Sequence, residues 1–207
     1  MRFVRATLTA AAALAGLLAV GGATGQEALE PPGEVLEFEG VVPDISALSR
    51  EERLDDLFTA LAAAPDADAA EVAESQIVDL WMDSGSDTIN LLMDWTLQAI
   101  DEEDFPLALD FLDRITSLQP GYVEGWNKRA TVYFMTDDLG KSLADLERVL
   151  AMEPRHFAAL SGLGTILRAI GDDKGAAEAY RRALDLDPFL EQVQEALDEI
   201  VAEGEGI

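Results

Sequence analysis

An all-α chain of stacked helical hairpins is the fold that this sequence predicts, and three observations carry the prediction. Pro120, Pro154 and Pro188 fall 34 residues apart, closing the phrases Leu118-Gln119-Pro120, Met152-Glu153-Pro154 and Leu186-Asp187-Pro188. A fixed period of that length marks a solenoid whose unit is one pair of helices. Between the prolines, large and small residues recur at helical spacing. Trp126, Ala130 and Tyr133 share one helix face, and Ala176, Tyr180 and Ala183 share another. No strand pattern stands out. A single hairpin cannot bury such a face alone, so hairpins must stack.

The 207 residues open on a segment that reads as a cleavable secretory signal, residues 1–25. Arg2 and Arg5 make a basic start, Ala6 to Val20 is apolar, and Ala23-Thr24-Gly25 offers the small residues that a signal peptidase reads. The apolar run is shorter than the ~20 residues of a membrane span, and no Cys follows it to carry a lipid. The expected mature chain begins at Gln26 with no membrane anchor after cleavage. Arg outnumbers Lys 11 to 3 and Ala is abundant, as in GC-rich bacterial genomes. The expected address is the periplasm, or release from the cell. Residues 26–45 hold Pro31, Pro32, Gly33, Gly40 and Pro43 among acidic residues and read as a flexible tether.

Residues 46–85 read as an irregular first hairpin. Ser49-Arg50-Glu51-Glu52 fits a capping box. Leu54, Leu57, Phe58 and Leu61 then share a face up to Pro65, and a second helix over 68–84 carries Val72, Ile77, Leu80 and Trp81 before Gly85. Residues 86–188 hold the three repeats. Each splits into two helical patterns at Glu103-Asp104, Asp137-Asp138 or Gly171-Asp172. Acidic side chains there accept hydrogen bonds from the free amides of the next helix and oppose its positive end. Residues 189–207 close the stack as a capping helix and tail. Leu190, Val193, Leu197 and Ile200 face inward, Glu191, Glu195, Asp198 and Glu199 face water, and Asp187 with Pro188 is expected to start the helix.

The unit resembles the tetratricopeptide repeat. That family favours a large residue at position 4, Leu at 7, a small residue at 8, Tyr at 11, small at 20, large at 24, small at 27 and Pro at 32. The second repeat reads Trp126, Arg129, Ala130, Tyr133, Ser142, Leu146, Val149 and Pro154. The third reads Leu160, Leu163, Gly164, Leu167, Ala176, Tyr180, Ala183 and Pro188. The first is weaker, with Thr96 and Ile115 at small positions. The resemblance implies a right-handed solenoid of three repeats, preceded by a degenerate hairpin and closed by the cap helix. The whole chain is similar to exported proteobacterial proteins of this family.

The resemblance also implies a concave groove, lined by the first helix of each repeat, that holds a partner segment. Carried over position by position, it assigns partner binding to Asn90, Met93, Leu97, Asn127, Thr131, Met135, Ser161, Thr165 and Arg168, with Phe134 and Ala158 among the further groove positions. One subtype of the family clamps an acidic C-terminal tail with Lys, Asn and Arg. The corresponding positions here hold Met93, Leu97, Lys128, Ala158 and Gly162, so that clamp is not expected.

Composition narrows the function classes. The formal net charge of −27 disfavours nucleic acid and anionic lipid as partners. There is no Cys, hence no disulfide and no thiol chemistry. His156 is the single histidine and reads as a helix-start residue; no nucleophile motif, phosphate loop or metal-ligand spacing accompanies it. Asp101-Glu102-Glu103-Asp104 lacks the alternation of a calcium loop, and Trp81, Trp95 and Trp126 read as packing. No catalytic residue, metal or cofactor is expected. The expected function is a non-catalytic protein–protein interaction module whose partner is another protein or peptide. The alternative is a structural accessory subunit of a cell-envelope assembly, bound through the convex face or the tether.

Overall fold

The computed structural model describes residues 48–205, so the expected signal and tether, residues 1–45, lie outside the described residues. Nine helices run through them: α1 (Arg50–Ala62), α2 (Ala67–Met82), α3 (Asp87–Asp101), α4 (Phe105–Leu118), α5 (Val123–Met135), α6 (Leu139–Met152), α7 (Phe157–Ala169), α8 (Asp173–Leu186) and α9 (Glu191–Glu205). α3–α4, α5–α6 and α7–α8 are the three repeat hairpins. Each stacks on the next through α4 on α5 and α6 on α7, and α9 closes the stack on α8. No described helix is long and apolar enough to cross a membrane.

The acidic breaks build the hairpin turns. The first residue of each break leaves the helix in the left-handed region, with φ of 57° at Glu103, 61° at Asp137 and 84° at Gly171. The second caps the next helix: the carboxylates of Asp104, Asp138 and Asp172 accept from the amides of Leu107, Lys141 and Gly175. Only the third repeat places at this turn the Gly that suits a left-handed residue.

Within a repeat, small residues set the helix spacing. Gly164 of α7 packs flat on the Tyr180 ring of α8, and a methyl group there would run into the ring. Gly162, on the same helix, would place a methyl 3.8 Å from Leu146, ordinary contact. Gly164→Ala should therefore cost ~1–3 kcal/mol by overpacking. Gly162→Ala should be neutral or gain up to ~1 kcal/mol from helix propensity. Urea unfolding of the two variants checks the contrast, which reverses if the register of the third repeat is shifted.

The α1–α2 hairpin does something the repeat pattern does not foresee. Its capping box is formed, with Ser49 and Glu52 bonded to each other's backbone amides. Ala70, Ala73, Ile77 and Trp81 are its buried α2 stripe, whereas Val72 is 59% exposed. That stripe packs on the turns joining the repeats. Trp81 and Ile77 share a core with Phe157, Leu186, Phe189 and Leu190. At the other end, the Tyr122 hydroxyl donates to the Met82 carbonyl at 2.7 Å, and the Gln119 amide donates to the Ser84 carbonyl at 2.7 Å. Arg155, in the turn between α6 and α7, pairs with Asp55 of α1 at 2.6 Å, with its guanidinium 4.7 Å from the Phe58 ring centre. The hairpin thus lies along the row of turns that precede α5, α7 and α9.

Two sequence expectations change at the chain's other end. Val193, Leu197 and Ile200 are buried as an inward stripe, but α9 starts at Glu191, after the Pro188 turn. Asp187 caps the end of α8 instead, with its side chain accepting from the Phe189 amide at 3.0 Å.

Candidate functional site

The second and third repeats hold a cavity of about 160 Å³ between α5 and α7. Asn127, Thr131 and Phe134 contribute from α5, Ala158, Gly162 and Thr165 from α7, over a floor of Leu146 and Ile166. Helical spacing produces this wall directly, since residues three or four apart stand above one another on a helix face. Thr131 and Thr165 are exposed, and each hydroxyl donates to a carbonyl one turn back on its own helix. Phe134 stands 40% exposed at the rim. The lining carries no charged side chain.

The nine predicted partner-binding residues separate into groups. Asn127, Thr131 and Thr165 converge on the cavity. Leu97 and Met135 are exposed apolar groups outside it, at 38% and 49%. Ser161 is half-buried and donates to the Phe157 carbonyl at 2.8 Å. Met93 is a correction: it is 1% exposed, in the core of the first repeat with Leu112 and Ile115. Asn90 is tied into the α2–α3 turn, where its side-chain oxygen accepts from the Ser84 amide and hydroxyl. Arg168 is not an open cation either, because it pairs with Glu199 at 2.8 Å and with Glu203 at 3.6 Å, both on α9. Each departure has its own local cause: Met93 is enclosed in the core of the first repeat, Asn90 is bonded into the α2–α3 turn, and Arg168 is paired with α9.

Asn127 does double duty. It is 7% exposed, and its amide donates to Glu124 at 3.0 Å. Glu124 is itself buried, and its other oxygen lies 2.9 Å from Nε2 of His156. His156 caps α7: its Nδ1 accepts from the Ala159 amide at 3.1 Å. That contact makes Nδ1 the unprotonated nitrogen and leaves Nε2–H to donate to Glu124. The imidazole ring then stacks on Trp81, with centroids 4.2 Å apart and planes 8° from parallel. Burial alone would push the Glu124 carboxyl up, but His156, Lys128 and Asn127 together hold it below the usual carboxylate range. A carboxyl lowered on folding adds stability that is present above the ordinary carboxylate range and lost as pH falls through the folded value. His156, expected as a helix start, caps α7 as expected and in addition joins the hairpin to the repeats through its stack on Trp81. No periodic signal in the sequence pairs it with Trp81.

Among the described residues, no group of three or more His, Asp or Glu is placed to hold a metal ion. The tetratricopeptide-repeat family model matches residues 127–191. A tetratricopeptide-repeat-containing protein of Rhizobium etli is 46% identical over 150 residues, covering 72% of this chain and 74% of that one. The tetratricopeptide domain of Sgt2 from Aspergillus fumigatus superposes with a TM-score of 0.55 at 21% identity, covering 58% of this chain and 81% of that chain. The first such domain of Spaghetti, solved bound to an Hsp90 peptide, superposes with a TM-score of 0.54 at 19% identity, over 56% of this chain and 91% of that chain.

Proposed function

The chain belongs to the tetratricopeptide-repeat family, and from that premise we propose that it is an exported, non-catalytic module that holds a segment of another protein in the concave groove between α5 and α7. Domains of this family bind proteins and peptides. The observation that carries the reading to this groove is the α5–α7 cavity, where Thr131, Phe134 and Thr165 are exposed around an apolar floor while the flanking polar groups are already paired. The Spaghetti domain takes an acidic-tail peptide, SRMEEVD. Here Met93, Leu97, Lys128, Ala158 and Gly162 stand where a carboxylate clamp needs Lys, Asn and Arg, so the segment held is of another kind. The leader-like residues 1–25 and the net charge of −27 suit a soluble periplasmic protein.

The experiment is capture from periplasmic extract. Wild-type protein should recover a discrete protein, and the bait recovered from the same extract should have the intact mass of a chain beginning at Gln26. Thr131→Arg with Thr165→Arg should abolish that capture with a Tm within about 2 °C of wild type, since both residues are exposed and away from the core. Equal capture by the double variant would defeat the groove reading and favour the outer face. A bait mass retaining residues 1–25 would defeat export with cleavage.

A further inference from the structure

The stack of repeats is closed at one end by α9 and open at the other. Within the stack, one face of each first helix packs on the hairpin before it. On α5 that face is Gly125, Arg129 and Val132: a methyl at Gly125 would run into Ile115 of α4, and Val132 is buried with Ala108 and Leu112 of α4. On α7 it is Ala159, Leu163 and Ile166, packed with Leu146 and Val149 of α6. The same repeat positions on α3 are Leu91, Trp95 and Gln98. No hairpin precedes α3 in the stack, because α1–α2 lies along the turns instead. Leu91 and Trp95 are each 46% exposed, where Val132 and Ala159 are at 0% and Ile166 at 1%. The second helix extends this bare face. Phe111 of α4 packs on Trp95, with ring centres 5.8 Å apart, and Leu107 stands exposed one turn before it.

Charge gives the second observation. Asp87, Asp94 and Asp101 are spaced seven residues apart, so they form a row along α3 beside Leu91 and Trp95. All three are exposed, and none is in an ion pair among the described residues. α3 carries no Lys or Arg, and α4 carries one, Arg114, 5.9 Å from the Phe111 ring centre. Elsewhere in the stack a helix covers this face, so a helix is the shape that fits it. A second copy would bring a net charge of −27 and another row of three aspartates to the contact.

We propose that the open end of the stack, formed by α3 and α4, docks an amphipathic helix of another protein, apolar along one stripe and edged with Lys or Arg. Its apolar stripe covers Leu91, Trp95 and Leu107 and continues the stacking that α5 and α7 make further along. Its basic edge lies on the aspartate row. The α5–α7 groove takes no part, so this surface stands or falls independently of the function proposed above.

The test labels the full chain with 5-fluorotryptophan, assigns the Trp95 fluorine signal with Trp95→Phe, and titrates two amphipathic peptides of about five helical turns. Both carry Leu at every third or fourth position; one has Lys along the edges and the other Glu. At physiological salt the Lys peptide should shift the Trp95 signal saturably and leave that of Trp81 in place, and the Glu peptide should do nothing. Leu91→Ser with Leu107→Ser should abolish the shift. Asp87→Asn with Asp94→Asn and Asp101→Asn should weaken binding at least tenfold. Removing as many charges from α9, by Glu191→Gln, Glu195→Gln and Asp198→Asn, should change affinity less than twofold. An unmoved Trp81 signal shows that each variant has kept its fold.

Equal binding of the Glu peptide, or unchanged affinity in either α3 variant, would overturn the inference. So would a loss in the α9 variant matching that of the aspartate variant, since net charge alone would then explain binding. A free-chain dimer in sedimentation that Leu91→Ser with Leu107→Ser dissolves would make a second copy the occupant instead. A Trp95 signal without a solvent isotope shift in the unbound monomer would mean that another part of the chain already covers the face. Thr131→Arg with Thr165→Arg should leave peptide affinity unchanged; a loss there would put the peptide in the groove and defeat the open-end site.

Discussion

Trp81→Ala should release the α1–α2 hairpin from the repeats at a cost of ~3–5 kcal/mol. Trp81 is 2% exposed and supplies the largest buried side chain in the structure. One face stacks on His156, while its flank meets Phe157 at 5.3 Å and Phe58 at 6.0 Å between ring centres. Truncation removes contacts on both sides of the same junction and leaves a cavity that neither α2 nor the α6–α7 turn can close without moving. The loss should be regional, because α3 to α9 stack through their own interfaces. Amide exchange in α1 and α2 should therefore accelerate far more than in α6 and α8. Trp81→Phe should be milder than its lost volume suggests, since the indole N–H has no partner among the described residues and its removal costs no hydrogen bond. Uniform acceleration in all helices, or a loss under about 1 kcal/mol, would mean that the hairpin is held from elsewhere.

The part of this fold that was legible in the sequence is the part whose contacts recur. Asp104, Asp138 and Asp172 cap three second helices at one position of the repeat, and Ser142 bonds back to the Ala130 carbonyl within one hairpin. Such contacts span a dozen residues or fewer and leave a periodic trace. Trp81 and His156 lie 75 positions apart and occur once each in their roles, so nothing in the spacing pairs them. The tryptophans show the same limit. All three stand at helical core spacing, yet Trp95 is 46% exposed beside Phe111, and Trp126 is half-buried, with its indole N–H donating to the Pro120 carbonyl. Spacing tells which face a residue shares, but not whether another element covers that face. The lining of the α5–α7 cavity was legible in part for the same reason. Thr131 and Thr165 came from repeat position alone. Met93, Asn90 and Arg168 were withdrawn from it by the core of the first repeat, by the α2–α3 turn and by α9.

Arg129 stands at repeat position 7, where the family favours Leu, and replacing it by that Leu should destabilise the protein by ~3–5 kcal/mol. Its Nε and one terminal nitrogen donate to the two oxygens of Asp145, each at 2.8 Å. The other terminal nitrogen donates to Asp113 at 2.8 Å and to the Thr116 hydroxyl at 3.1 Å. The guanidinium also lies 4.6 Å from the Trp126 ring centre. One side chain thus ties α5 to α6 within the second repeat and to α4 of the first. The Asp145 hydrogen bonds hold the guanidinium protonated well above its ordinary range. Asp145 is 5% exposed, so Arg129→Leu strands a buried carboxylate, and that stranded charge rather than the lost attraction dominates the penalty. The double variant Arg129→Leu with Asp145→Leu should therefore recover most of the loss, since a buried ion pair replaced by apolar groups of similar size is often neutral. Urea unfolding of the two single variants and the double one gives the coupling directly. If Arg129→Leu alone costs under about 1 kcal/mol, water reaches Asp145 and the bridge between repeats is only a surface contact. If the double variant is no better than the single, packing around Trp126 rather than the stranded charge carries the penalty.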